Sequence, residues 1–227
     1  MSVFSILGIL ILAYLAGSIP FGYILVKLVT NRDVRDVASG RTGGTNSMRA
    51  AGFPIGFATS LLDIIKSAAV VWLTIYVFPQ SYWIQVLAGF LAVLGHNYSV
   101  FLIERDSQGK LKIGGGAGGT PAAGAIVGLW WPSIFIMVPL GYLIVMVIGY
   151  ASIATMALPL IGSLIFLIRY LVLGEPWQYI FSGLLSEVLI IWALRPNIKR
   201  LLEGTERIVG FRAKKHPEGS TNKKGSE

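Results

Sequence analysis

The sequence contains no cysteine, and only 13% of its 227 residues are charged. The absence of cysteine excludes disulfide bonds, zinc–thiolate sites and cysteine nucleophiles. Soluble domains usually carry about 25% charged residues, and a soluble core could not enclose a chain that is 54% hydrophobic without leaving large apolar patches in water. Short segments of alternating polarity, which would predict a membrane β-barrel, are also absent. The composition therefore indicates a helical membrane protein.

The apolar residues form blocks of about 17 to 25, the length that crosses a bilayer as a helix. Helices also satisfy their own backbone hydrogen bonds in lipid. We predict an all-α integral membrane bundle, a single domain over residues 1–212. The seven predicted spans are 3–28, 53–77, 82–103, 119–131, 133–150, 152–172 and 177–195. The first block lacks a basic n-region and a cleavage site, so we expect a retained span. The fourth is short and is expected to be partly re-entrant.

Basic residues predict the orientation of the bundle. They concentrate in the first connection, after the third span and beyond the last span: Arg32, Arg35, Arg41 and Arg49; Arg105, Lys110 and Lys112; and Arg195 to Lys224. Because Lys and Arg favour the cytoplasmic side, we expect the N-terminus outside and the C-terminus in the cytoplasm, which requires an odd number of spans. The same placement assigns the net charge of +8 to the membrane surface rather than to nucleic acid.

The segment 213–227 is rich in Lys, Gly and Ser and shows no apolar periodicity. We predict a disordered basic cytoplasmic tail, either solvated or held at anionic headgroups.

The first loop, residues 39–49, combines glycines with hydrogen-bond donors. Its donors are Ser39, Arg41, Thr45, Asn46 and Arg49. Glycines let backbone amides approach an anion closely, and guanidinium groups bind phosphate oxygens in pairs. The composition alone fits a flexible, positively charged loop equally well.

A second glycine-rich segment, which we call the glycine loop, covers residues 114–120. Its candidate phosphate-binding residues are Gly114, Gly115, Gly118 and Thr120. Such a loop opening a helix resembles a phosphate cradle, but it is not a Walker A motif because no Gly-Lys-Ser/Thr follows. Small residues also allow close helix packing in membranes. Two such loops on one face favour a shared phosphate site more than either does alone.

Ionisable residues are costly inside a span, and Asp63, Lys66 and His96 are the candidates of this kind. Asp63 and Lys66 are three residues apart, so a structural ion pair is at least as good an explanation as a substrate contact. His96 fits a base, a phosphate ligand or a helix-end hydrogen bond. The polar segment 197–206 fits an interfacial anchor as well as a site.

Taken in order, these motifs resemble the acyl-phosphate-dependent glycerol-3-phosphate acyltransferases of bacteria, the PlsY family. The resemblance is carried by the segment Tyr14–Gly22, the first loop, the Asp63–Lys66 pair, Gly95–Leu102 with the glycine loop, and Asn197 to Glu206. Together they cover most of the chain.

The resemblance implies seven spans and an active site at the cytoplasmic face of the bacterial inner membrane. It implies transfer of a fatty acyl group from acyl phosphate, rather than a thioester, to the sn-1 hydroxyl of glycerol 3-phosphate, yielding lysophosphatidic acid for phospholipid synthesis. No metal and no cofactor are expected. The implied catalytic residues are Ser39, Asn46 and Asn197, with Asp63, Lys66, His96 and Lys112 as support.

This chain departs from the family pattern at three motifs. Gly116 stands where the family has a lysine, Leu194 where it often has a histidine, and Arg41-Thr42 where Asn and a small residue are usual. Arg41, or a lysine of the insertion 104–112, is expected to supply the missing charge. Two alternatives stay open: a catalytically silent relative that binds lipid or a partner, and a small-anion transporter. The absence of an internal repeat weighs against the transporter.

Overall fold

The computed structural model describes residues 2–105 and 108–211. Within these residues the helices are α1 Val3–Ser18, α2 Phe21–Thr30, α3 Gly44–Ala51, α4 Phe53–Val77, α5 Tyr82–Asn97, α6 Gly119–Leu129, α7 Ile134–Ile148, α8 Ala151–Leu173 and α9 Ile180–Leu202. A small hairpin pairs β1, Ile103–Arg105, with β2, Leu111–Ile113. The predicted all-α membrane fold class is confirmed. The predicted tail, 213–227, lies outside the described residues.

The first span is broken where α1 meets α2. Pro20 follows Ile19 there, and a residue before proline is disfavoured from helical geometry, so Ile19 leaves the helix with ψ 116°. Its carbonyl accepts from the Phe21 amide at 3.2 Å and from Lys66 Nζ at 2.8 Å. A sequence-encoded break thus provides an acceptor for a charge buried in the neighbouring helix.

Six helical segments of the described chain are long and apolar enough to cross a membrane. They are Val3–Thr30, Phe53–Val77, Tyr82–Leu102, Trp131–Ile148, Ala151–Leu173 and Trp177–Leu202. The predicted fourth span is the 11-residue helix α6, only about 16 Å long at 1.5 Å per residue, against a hydrocarbon core of about 30 Å. The sequence expectation of a short fourth segment agrees with this helix. Seven spans and the predicted orientation stay predictions.

Helix α6 is buried by close packing against its neighbours. A Cβ on Gly124 would overlap the backbone of Ile64 in α4, and a Cβ on Gly128 would overlap the side chain of Val71. Gly17 of α1 approaches the backbone of Ala92 in α5 in the same way. Without a hydrophobic force between helices in lipid, such small residues permit the contacts that hold spans together.

Helix α9 continues to Leu202, about two turns beyond the predicted end of the last span at residue 195. Pro196 lies inside this helix, although proline removes one helical hydrogen bond. The carbonyl that would have accepted it, that of Trp192, accepts from Arg195 Nε at 2.9 Å instead. The extension places Asn197 and Arg200 on the rigid end of α9.

We expect Gly124→Ala to destabilise the bundle by about 1–3 kcal/mol, because the added methyl group must displace the α4 backbone. Thermal unfolding in detergent measures the effect. Gly8→Ala is the matched control, since nothing lies within 4 Å of that Cβ position. Equal melting temperatures for the two variants would contradict this packing.

Candidate active site

Asn46 organises the first loop from within. Its side chain is buried, and Nδ2 donates to the carbonyls of Val34, Val37 and Arg41 at 2.8–2.9 Å. Its Oδ1 accepts from the Ser39 amide at 3.4 Å. Because both hydrogens of the amide are committed to the loop, the geometry favours a positioning role for Asn46 over the predicted catalytic one. Ser39 is half-buried beside it.

The glycine loop packs against the C-terminal end of α5 and is joined to it by backbone hydrogen bonds. The Gly116 amide donates to the His96 carbonyl at 2.9 Å, and the Ser99 amide donates to the Gly114 carbonyl at 3.0 Å. A Cβ on Gly115 would overlap the Asn97 carbonyl, and one on Gly116 would overlap the His96 ring. Close packing therefore explains at least part of the glycine content of this loop. The sequence left this explanation open beside phosphate binding.

The first loop and the glycine loop meet, as the sequence predicted for a shared site. The Thr42 amide donates to the Gly115 carbonyl at 3.2 Å. Arg41 Nη1 donates to the Gly116 carbonyl at 3.2 Å, and its Nη2 donates to the Ala193 carbonyl of α9. One guanidinium group thus joins the two loops and the last helix.

Arg41 is mostly buried, and the two carbonyls to which it donates are neutral. Burial lowers the pKa of its guanidinium from the usual value, and the nearby positive charge of Arg200 acts in the same direction. The group still stays protonated at neutral pH, since arginine is not deprotonated in proteins. A buried cation that is desolvated in this way is suited to bind an anion.

Asn197 and Arg200 are held together by a third residue, Glu206. Asn197 Nδ2 donates to Glu206 Oε1 and Arg200 Nε donates to Glu206 Oε2, both at 2.8 Å. The chain after α9 turns back to make these contacts, and the Thr205 amide donates to the Arg200 carbonyl at 2.8 Å. Arg200 and Glu206 are not among the predicted site residues, although both lie in the segment 197–206 that carries part of the family resemblance.

Asp63, Lys66 and His96 form one buried cluster. Lys66 Nζ lies 2.7 Å from Asp63 Oδ1 and 3.1 Å from His96 Nδ1, and it donates to the Ile19 carbonyl. The ammonium charge therefore faces a carboxylate, an imidazole nitrogen and a backbone carbonyl. The cluster is the predicted structural ion pair with the histidine added, and its ring abuts Gly116 of the glycine loop.

Asn97 is a polar residue that the sequence analysis did not single out as a site. Its side chain is 5% exposed, and neither Oδ1 nor Nδ2 has a hydrogen-bond partner among the described residues. The carboxamide lies beside Gly118, the residue that precedes α6 with φ +96°. The first amides of a helix also lack intrahelical partners. Donors of both kinds therefore gather at the start of α6, where Thr120 occupies the first turn.

The structure separates Lys112 from the other candidates. Lys112 lies on β2, directly across from Glu104, and its ammonium is 3.9 Å from that carboxylate with 70% of the side chain exposed. Cross-strand pairing therefore directs it outward, and Arg41 is the cation that contacts the glycine loop. Thr45 and Arg49 lie on α3, which begins inside the first loop. Among residues 2–105 and 108–211, no group of three His, Asp or Glu residues could hold a metal ion.

A protein-family model identifies the family of the chain. The model described as glycerol-3-phosphate acyltransferase matches residues 7–204. The chain belongs to the glycerol-3-phosphate acyltransferase family. This confirms the family predicted from the sequence motifs.

Individual members of the family match over most of the chain. A glycerol-3-phosphate acyltransferase of Thermus thermophilus is 36% identical over 204 residues, covering 90% of this chain and 95% of the relative. A crystal structure of PlsY, an integral membrane glycerol 3-phosphate acyltransferase in its glycerol 3-phosphate form, has a TM-score of 0.78 at 30% identity, covering 93% of this chain and 99% of that one. Its lysophosphatidic acid form has a TM-score of 0.75 at 29% identity, covering 92% and 97%.

Two of the departures from the family pattern have a structural setting in this member. Leu194 is buried in an apolar cluster with Val93, Ala122 and Ile190. Gly116 leaves no room for a side chain, and Arg41 donates to its carbonyl. Arg41 of the first loop therefore places a positive charge beside position 116.

We expect Lys66→Met to lower the free energy of unfolding by about 3–5 kcal/mol, because it leaves the Asp63 carboxylate buried without its cation. Asp63→Asn combined with Lys66→Met should lose less than Lys66→Met alone. Denaturation in mixed micelles measures both. As a control, Lys199→Met removes an exposed pair with Glu203 and should cost no more than about 1 kcal/mol. The pairing would be contradicted if the double variant lost as much free energy of unfolding as Lys66→Met and Asp63→Asn, measured separately, lose in sum.

Proposed function

We propose that the chain transfers a fatty acyl group from acyl phosphate to the sn-1 hydroxyl of glycerol 3-phosphate. The products are lysophosphatidic acid and inorganic phosphate, and the reaction serves phospholipid synthesis. The observation that carries this proposal is the meeting of the first loop, the glycine loop and α9 at the buried guanidinium of Arg41. Both substrates carry a phosphoryl group, so fixed positive charge and oriented amides are what such a site needs.

The reaction requires little covalent chemistry from the protein. The hydroxyl oxygen attacks the acyl carbonyl carbon, the bond from that carbon to the phosphate oxygen breaks, and an ester bond forms. The hydroxyl proton passes to an oxygen of the released phosphate. Because the donor is already activated, positioning and stabilisation of the developing oxyanion supply most of the rate. A covalent acyl-enzyme is not required.

The donor phosphate is assigned to the glycine loop with Ser39 and Thr45. The Asn97 carboxamide, which has no partner among the described residues, and the start of α6, which has no side-chain cap, support this assignment. Glycerol 3-phosphate is assigned to Arg41 and Arg49, which bind its phosphate as forked donors.

Asn197 is assigned the task of orienting the attacking hydroxyl. Glu206 fixes its carboxamide at one end by a bond of 2.8 Å, which favours a single rotamer. In this proposal Asn46 keeps the first loop in shape, and the cluster of Asp63, Lys66 and His96 supports the glycine loop from beneath.

The acyl chain of the donor is placed among the apolar spans and its phosphate at the interface. Basic connections favour the cytoplasmic face of a bacterial inner membrane for the site. A membrane-embedded position explains how one enzyme meets an amphiphilic donor and a water-soluble acceptor.

We expect product from palmitoyl phosphate and none from palmitoyl-coenzyme A when the purified protein in lipid is given glycerol 3-phosphate. Mass spectrometry of lysophosphatidic acid is the measurement, and the position of the ester distinguishes sn-1 from sn-2. Product only from the thioester would reverse the choice of donor. No product from either donor would favour the silent relative.

We expect Arg41→Ala to lower kcat/KM for glycerol 3-phosphate about 100-fold, since a charged hydrogen-bonding group contributes about 1.5–3 kcal/mol. Arg41→Lys should recover only part of the loss, because lysine cannot bond two carbonyls and a phosphate as a planar fork. Initial-rate kinetics with purified variants measures both. The matched control is Arg32→Ala, an exposed arginine of the same connection, and it should retain activity. Similar kinetics for all variants would remove Arg41 from the site.

A further inference from the structure

The hairpin of β1 and β2 has one apolar and one polar face. Its pairs are Ile103 with Ile113, Glu104 with Lys112, and Arg105 with Leu111. Side chains alternate along a strand, and directly opposite residues share a face. Ile103, Leu111 and Ile113 therefore lie on one face, with Arg105 at its turn end, and Glu104 with Lys112 on the other.

The apolar face is uncovered. Ile103, Leu111 and Ile113 are 48%, 60% and 49% exposed, and Phe101 just before β1 is 59% exposed. Large exposed apolar patches mark contact surfaces, so this face of the strand pair is expected to meet something other than water.

Glu104 on the polar face joins the hairpin to the segment that follows α2. Arg35 Nη1 donates to Glu104 at 2.8 Å, and Arg35 also pairs with Asp33 at 2.7 Å. The guanidinium of Arg35 lies over the Tyr23 ring of α2, 5.4 Å from its centroid. Its hydrogen bond holds the pKa of Asp33 below the usual value, so that carboxylate stays charged at neutral pH. The orientation of the hairpin is therefore set by ion pairs with the segment after α2.

The hairpin is also placed at the level where a span ends. β1 begins immediately after the segment Tyr82–Leu102, and the Gly114 amide that follows β2 donates to the Leu102 carbonyl at 3.0 Å. The apolar face therefore lies directly beyond the end of a segment that is long and apolar enough to cross a membrane.

Two basic residues, Arg105 and Lys110, stand at the turn end of this face and are exposed. Residues 212–227 are themselves net basic, so like charge disfavours them as a cover. We propose that the hairpin is a membrane-surface contact, whose apolar face enters the interfacial layer while its basic residues bind the phosphoryl headgroups of anionic lipids. Basic residues beside a membrane are attracted to anionic headgroups, and apolar side chains are stabilised in the interface.

The absence of cysteine gives a direct test. Leu111→Cys and Lys112→Cys each provide a single labelling site, on the apolar and the polar face of the same strand. Each variant carries an environment-sensitive fluorophore and is reconstituted in vesicles of phosphatidylcholine, with or without phosphatidylglycerol. Quenching by nitroxide-labelled lipid and by aqueous iodide is then compared. The readout does not involve acyl transfer, so it stands apart from the proposed function.

With phosphatidylglycerol present, we expect lipid quenching at position 111 to exceed that at position 112 by about twofold or more. Adding Arg105→Gln and Lys110→Gln to the Leu111→Cys protein should reduce its lipid quenching to the level seen in phosphatidylcholine alone. High salt should do the same by screening. Iodide quenching at position 111 as strong as at position 112 in anionic vesicles would overturn the proposal. Lipid quenching at position 111 that is insensitive to charge, salt and lipid composition would overturn its anionic part.

Discussion

The rest of the site depends on the contacts that the ammonium group of Lys66 makes. It lies inside the helical bundle, where an unpaired charge would be costly, and it contacts three different parts of the chain. Its partners are the Ile19 carbonyl at the break between α1 and α2, the Asp63 carboxylate of the same helix, and the His96 ring of α5. These contacts fix the end of α5 relative to the broken first span.

The glycine loop is built on that fixed end. Its backbone bonds to the His96 carbonyl, and its glycines accept the close approach of the histidine ring and of the Asn97 carbonyl. Arg41 then spans from the first loop to the Gly116 carbonyl and to α9. The buried ion pair thus positions the end of α5, the end of α5 positions the glycine loop, and the glycine loop accepts a hydrogen bond from Arg41.

The sequence predicted the fold class and the family because both depend on features that are local or ordered along the chain. Apolar blocks of span length and motifs in a fixed order need no knowledge of contacts. The role of Asn46 could not be predicted, since it depends on three carbonyls that converge only after the loop folds. The choice between Arg41 and Lys112 depends on strand pairing with Glu104. Helix α9 runs past the predicted end of the last span, and Arg195 donates to the Trp192 carbonyl that Pro196 leaves without an amide donor.

Helix α6 bears on how the bundle meets the bilayer. It is about half as long as the hydrocarbon core is thick, and it is surrounded by helices of full span length. At its far end stands Trp130, whose ring is covered by the Arg169 guanidinium at 4.0 Å, and Arg169 is paired with Glu175. Both groups are largely covered by protein, and Arg169 lies within about one turn of the end of the full-length helix α8. Because α6 is buried, lipid meets the longer helices around it, and the shortness of α6 is accommodated inside the bundle rather than by a thinner bilayer.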